Sequence, residues 1–437
     1  MSKAATYSES TFKARWIFPA DRPPILGGSI TISGQRIVAV GKKSDTAATI
    51  DLGDVAILPG LVNAHTHLEF SQLPAPLGLP GMPFVDWIRR VIQFRSEAEK
   101  GSGPIFRDGP QGASHKLDLT PFLRGNAVAI GLHEAMAGGT TTLGEIAAPS
   151  WQPPVSDEAA AMTVFHESIG LADQSIDEHE RSAGEFLDYA MSSKAEYLCG
   201  LSPHAPFSVH PELFARLVDM SARRRVPLAM HLAESPEELQ LLSDQTGPFR
   251  DFLEERQVCS AAGIWRGTRP LDYLRTLIKA RRALVIHGNY LADDELSYLA
   301  AHRDRLALVY CPRTHAFFGH PPHPLPRLLA AGGAAAIGTD SRASNPDLDM
   351  WAELRFLAES IPELSPQQVL ELGTLDGAKA LGRHSDTGSL SPGKFADLVV
   401  MPLTDATGAD AYELLFADET AVARTMFRGR WVEPNDS

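Results

Sequence analysis

The apolar run Ile57-Leu58-Pro59-Gly60-Leu61-Val62-Asn63-Ala64 delivers His65-Thr66-His67. In a strand, positions i and i+2 share a face, so both imidazoles can aim at one point, as two ligands of a metal ion must. So short a motif also arises by accident, and alone it decides little. Other apolar runs end the same way. His231 closes residues 227–231, His287 closes 284–287, and Asp340 follows 334–339. This many strand-end histidines with one aspartate are hard to obtain as packing residues, and together they read as a metal site. Imidazole and carboxylate donors suit a divalent ion, zinc by default, with Fe2+ and other first-row metals accepting the same set.

Eight apolar runs must position these residues: the one ending at His65, then 140–145, 162–167, 197–202, 227–231, 284–287, 307–311 and 334–339. Helical patterns such as 211–225, 293–302 and 325–331 lie between them, the alternation of βα units around a parallel sheet. The fold class expected is α/β, a closed (β/α)8 TIM-like barrel whose strand C-termini form the active face. Short β-type runs at 12–19 and 29–40, punctuated by Gly27-Gly28 and Ser33-Gly34, are matched by runs at 397–401 and 421–432. Both chain ends are therefore expected to build a small β-sandwich, 1–58 with 386–437, beside a barrel of 59–385. After His67 the Gly- and Pro-rich excursion 78–125, interrupted by an amphipathic piece at 84–94, reads as a substrate lid.

The 437 residues are 44% hydrophobic and 22% charged, an ordinary globular balance, and the net charge of -14 argues against nucleic acid and anionic membranes as partners. No apolar leader marks residues 1–20 and no run is long enough to span a bilayer, so a cytoplasmic protein with a small-molecule substrate is expected. A homo-oligomer is left open. Cys199, Cys259 and Cys311 form no C-x-x-C pair and read as reduced, buried thiols.

The ordered set Pro-Gly-x-x-Asn-x-His-x-His, His-x-x-Glu, His-Gly and Gly-Thr-Asp resembles the amidohydrolase superfamily over essentially the whole chain. Ser202-Pro203-His204-Ala205-Pro206, His231-Leu232-Ala233-Glu234-Ser235 and Gly338-Thr339-Asp340-Ser341-Arg342-Ala343-Ser344-Asn345 resemble its deaminase and chlorohydrolase (ATZ/TRZ-like) branch, which removes amino or chloro groups from heteroaromatic rings. Two-metal members carry a carboxylated lysine on the fourth strand, and residues 197–204 hold none. The resemblance thus implies one ion on His65, His67, His231 and Asp340. Together with Gly139-Thr140-Thr141-Thr142-Leu143-Gly144-Glu145, the run His65 to Ser71 looks most like aminodeoxyfutalosine deaminases. S-adenosylhomocysteine or adenosine deamination, guanine deamination and chlorotriazine hydrolysis are the alternatives within the class, and a non-catalytic binding protein is the alternative outside it.

The residue types then supply roles. Asp340, beside an ion that acidifies water, would accept or relay a proton, and Glu234, three residues past His231, would shuttle one to a ring nitrogen. By the resemblance, His287 would orient the attacking oxygen, and His204 would contact the ring. Trp87 would cover the ligand with its ring face, while Glu69 and Glu145 would reach sugar hydroxyls. Arg313 stands where relatives commonly have Ser-Asn after the seventh strand and joins the substrate contacts. Packing roles compete for His204 and Trp87. His133-Glu134 lacks the second histidine of a zinc-protease helix, and 388–394 spells G-x-x-x-x-G-K without the Ser/Thr that would hold magnesium. His315, His320 and His323 read as a loop cluster.

Overall fold

The computed structural model describes residues 9–42, 49–99, 105–106, 115–116, 123–148, 151, 153, 160–192, 197–258, 264, 266–404, 410–418 and 420–433. Eight parallel strands form its central sheet: β1 (Leu61–Thr66), β2 (Thr140–Ala147), β3 (Ala161–Ser168), β4 (Leu198–Pro203), β5 (Leu228–Leu232), β6 (Ala283–His287), β7 (Leu306–Tyr310) and β8 (Ala335–Ile337). Each pairs in parallel with the next. All eight expected runs are strands. Nearly every position in them is buried, because a parallel sheet wrapped by helices is covered on both faces and its strands read as unbroken apolar runs.

The ring closes where the chemistry lies. Thr66 bridges Asp340, and the Asp340 N–H donates to the His65 carbonyl at 3.1 Å. Gly338 makes that approach possible, since a Cβ there would lie 2.8 Å from the His65 oxygen. The expected helices form as Pro211–Arg224, Asp293–Ala301 and Leu325–Ala330.

Two further sheets pack beside the barrel, one built from the N-terminal segment and one from both ends of the chain. One orders Arg36–Lys42, Gly28–Ser33, Glu9–Lys13 and Thr49–Asp51; the other runs from Arg430–Trp431 through Arg424–Phe427, Leu398–Pro402, Val55–Pro59 and Trp16–Ile17 to Ile25–Leu26. Phe12, Ile30, Ile32 and Ile37 from the first pack with Ile57, Leu398, Val400 and Met426 from the second, so neither terminal segment can bury its apolar face alone. The strand Val55–Pro59 leads through Gly60 straight into β1, which couples this core to the histidine pair.

The excursion after β1 is only partly an open connection. Residues 84–99 form a helix, Phe84–Glu99, with Phe84, Val85, Trp87, Val91 and Phe94 buried against the barrel, while much of 100–122 lies outside the described residues. Among the described residues no helix is long and apolar enough to cross a membrane. Cys311 is buried and Cys199 half-buried, both as free thiols, and Cys259 lies outside the described residues.

Candidate active site

The C-terminal ends of β1, β5, β6 and β8 converge. One ligand atom each from His65, His67 and Asp340, and likewise from His65, His231 and His287, lies within 4.8 Å of the others, and all of these side chains are buried. His65 Nε2 is 3.5 Å and His67 Nε2 3.8 Å from Asp340 Oδ1. Both His65 ring nitrogens and His67 Nδ1 are buried without a hydrogen-bond partner. Orphaned buried imidazole nitrogens are costly unless something occupies the space between them, and a cation is what this donor set accepts.

The surrounding hydrogen bonds aim the donors. Because a carbonyl can only accept, His231 Nδ1 must donate to the His204 carbonyl at 3.0 Å, which leaves Nε2 as the lone-pair nitrogen. Ser344 Oγ donates to Asp340 Oδ2 at 3.0 Å, and Oδ1 is the oxygen turned to the histidines. Asn63, the Asn of the Pro-Gly-x-x-Asn-x-His-x-His run, staples β1 to β8. Its Oδ1 accepts from Thr339 N at 3.1 Å, and its Nδ2 donates to Thr339 Oγ1 at 2.8 Å. The residues that end or follow β5, β6 and β8 share a backbone feature: Ala233, His287 and Asp340 have φ of 55, 66 and 58°. Left-handed backbone costs a non-glycine residue about 1–2 kcal/mol, and it turns each chain sharply off its strand toward the cluster.

Burial favours the neutral form of three of the imidazoles. Burial first, then neighbouring histidines, hold His67 and His231 well below their ordinary pKa, and burial does the same to His287. Neutral imidazole is the ligating form. Asp340 goes the other way: burial would raise it, but the close approach of His65 Nε2 to Oδ1 at 3.5 Å, with His287 and His231 nearby, brings it down to about 2. Glu234 is pushed well up, by burial first and then by the charges of Asp340 and Glu238. Its Oε1 lies 3.2 Å from His287 Nε2, so one proton can sit between a carboxyl and an imidazole at the edge of the ligand cluster. Glu238 is itself raised to about 7 by burial, against the pull of two backbone N–H groups.

The expected substrate contacts divide. His204 lies beside the cluster, its ring centroid 4.8 Å from that of His231 and its Nδ1 2.6 Å from Ser208 Oγ. Burial, then Arg95, lowers its pKa to about 3. Glu69 lies just past the histidine pair and accepts from Arg95, which also reaches the buried Glu167 at 3.3 Å; Glu167 Oε1 in turn is 4.0 Å from His204 Nε2. Three others are directed elsewhere. Trp87 is wedged between Phe84, stacked at 5.7 Å, and Phe318, edge-on at 5.2 Å, and donates to the Ala343 carbonyl at 3.0 Å. It supports the loop after β8 from behind instead of offering a free ring face. Glu145 is fully buried and accepts the Leu68 N–H at 3.1 and 3.2 Å, holding the turn that follows His67 instead of reaching a sugar. Arg313 grips Asp347 in a two-bond fork at 2.7 and 2.9 Å, with buried Glu353 beside it, so its guanidinium is committed within the protein.

Several contributors escaped the sequence. Arg95 sits in a helix whose charges look solvated, and its carboxylate partners lie on the turn Leu68–Phe70 after β1 and on β3. His323, read as part of a loop cluster, donates Nε2 to the His287 carbonyl at 2.9 Å, and His315 belongs to the helix Pro312–Phe318. Glu134 bonds Arg342 at 2.7 Å and is structural.

The description of the amidohydrolase family matches residues 56–432, from the strand before the histidine pair through the terminal sheets. The chain belongs to the amidohydrolase family. Among curated relatives, a Moorella thermoacetica 5-methylthioadenosine/S-adenosylhomocysteine deaminase is 28% identical over 403 residues, covering 89% of this chain and 84% of the relative. A Deinococcus radiodurans aminodeoxyfutalosine deaminase is 27% identical over 373 residues, 81% of each. The crystal structure of Helicobacter pylori aminofutalosine deaminase with methylthio-coformycin superposes with a TM-score of 0.80 at 21% identity, over 97% of this amidohydrolase and all of that chain, and shares its fold.

Proposed function

We propose that this amidohydrolase is a metal-dependent hydrolytic deaminase releasing ammonia from an adenine-like ring. Aminodeoxyfutalosine is the first candidate substrate, and methylthioadenosine, S-adenosylhomocysteine or adenosine are alternatives; guanine and chlorotriazines stand further off. One observation carries the reading: His65, His67, His231 and Asp340 converge beside a buried Glu234–His287 pair. The sequence relatives named above support an adenine nucleoside. In this reading the four residues hold one divalent ion, zinc by donor chemistry, which when bound supplies a Lewis acid that brings the pKa of a water near neutrality.

The protein's own groups do the rest. Asp340, kept ionised, accepts a proton at Oδ1 while Ser344 fixes Oδ2. Glu234, whose proton affinity is raised by burial, carries a proton at Oε1 and delivers it to the ring nitrogen beside the amino-bearing carbon. His287 Nε2, 3.2 Å from that carboxyl, orients the attacking oxygen. The proton taken up by Asp340 passes to the amino nitrogen, the C–N bond breaks to release ammonia, and the hydroxyl proton left on the carbonyl-forming oxygen restores Glu234. His204 contacts the ring, and Glu69, steadied by Arg95, faces the remainder of the substrate. We assign the chemistry to a barrel of 59–385 and the terminal segments 1–58 and 386–437 to its support.

The test is ammonia release from aminodeoxyfutalosine, methylthioadenosine, S-adenosylhomocysteine, adenosine and guanine by the zinc-loaded protein. Turnover of at least one adenine nucleoside is expected. Release from none of them, with metal content verified, would overturn the reading.

A further inference from the structure

Glu238 is a fully buried carboxylate with no part in the chemistry above. It lies in the first turn of the helix Pro236–Asp244, whose N-cap Ser235 accepts the Glu238 N–H at 3.3 Å. Ser235-Pro236-Glu237-Glu238 thus has the spelling of a capping box, in which the acid reaches back to the N–H of the capping serine. The carboxylate reaches further. Oε1 accepts from Ala233 N at 2.8 Å and Oε2 from Glu234 N at 3.0 Å. Ala233 is the residue with φ of 55°. A left-handed residue turns successive N–H groups to one side, where they form a nest for an anion, and here the anion is Glu238.

The same two residues are gripped from the other side. Asn289 Nδ2 donates to the Glu234 carbonyl at 2.9 Å, and the Tyr290 N–H donates to the Ala233 carbonyl at 3.1 Å. Asn289 and Tyr290 follow β6, the strand that ends on His287. Every backbone polar group of residues 233 and 234 is therefore bonded, and the clamp joins the turn after β5, which carries Glu234, to the turn after β6, the strand that ends on its partner. Unclamped, Ala233 would relax toward ordinary backbone, and the Glu234 side chain would swing off its position 3.2 Å from His287.

We propose that Glu238 and Asn289 are positioning residues for the hydrolytic step: they hold the left-handed backbone at 233–234 so that the Glu234 carboxyl stays aimed at His287 and the substrate ring. The inference rests on the proton-carrying role proposed for Glu234. Glutamine at 238 keeps one acceptor oxygen but turns an NH2 toward a backbone N–H, so one side of the nest opens.

The experiment compares E238Q, N289A, E234Q and the double variants E234Q/E238Q and E234Q/N289A in the zinc-loaded protein, on whichever nucleoside it deaminates. For E238Q, kcat should fall about 10²-fold, the cost of a misplacement near 1 Å, with KM and bound metal unchanged. N289A should show a smaller loss of the same kind, and it keeps the idea testable if E238Q does not fold. Neither change should slow the enzyme further once Glu234 is glutamine, because both act through that residue. Losses that multiply in the double variants, or wild-type kcat in E238Q and N289A, would overturn the inference. Full turnover in E234Q itself would instead overturn the role of Glu234, and the two failures are told apart by that single variant.

Discussion

Two sectors of the active face were built by different rules. The strand ends of β1, β5, β6 and β8 present His65, His67, His231, His287 and Asp340, which converge within a few ångströms. Around them, Trp87, Glu145 and Arg313, expected from the sequence as a wall of substrate contacts, all hold protein together. In the first sector a residue's direction follows from strand alternation and the barrel's closure, so chain position alone aims it. In the wall, direction depends on which distant group captures a long side chain: Asp347 takes Arg313, the Leu68 N–H takes Glu145, and Phe84 with Phe318 encloses Trp87. A polar residue near the face is thus a weak guide to function until its partner is known.

Substitutions can break or sharpen this contrast. The largest effect is expected for His65→Ala, which should lose bound metal and deaminase activity together, read by metal analysis beside ammonia release; about one ion per wild-type chain is the reference. A variant retaining its metal would remove His65 from the ligand set. Next comes Glu234→Gln, which should cut kcat by about 10² to 10⁴ while keeping the ion, since glutamine preserves shape without acidity. Near wild-type turnover at saturating substrate, with chemistry limiting, would make His287 the better proton carrier.

Wall residues should behave otherwise. Trp87→Ala empties a buried aromatic site and should cost about 3 kcal/mol of stability. If KM rises sharply while the melting temperature holds, Trp87 is a ligand platform after all. Smaller again, Arg313→Ala removes the two-bond fork to Asp347 and the cation beside buried Glu353, and should lower stability by about 2 kcal/mol, with kcat/KM little changed. A large change in substrate selectivity with an unaltered denaturation curve would move Arg313 back to the substrate side.

Strand count, order of elements and the convergence of His65, His67, His231 and Asp340 were legible in the sequence because each is local. An apolar run of four to eight residues buried on both faces reads directly, and a strand fixes where its last side chains point. Gly338-Thr339-Asp340 likewise carries the glycine that lets β8 close on His65. Tertiary structure alone decided the partners of long polar side chains. Arg95 spans from one helix to Glu69 and Glu167, Glu238 reaches past its own helix cap to the nest at 233–234, and Asn289 grips Glu234 across 55 residues. The physical reason is that flexible side chains ending in charge or amide bond whichever buried group the fold brings within about 3 Å, and that meeting has no signature in local spacing.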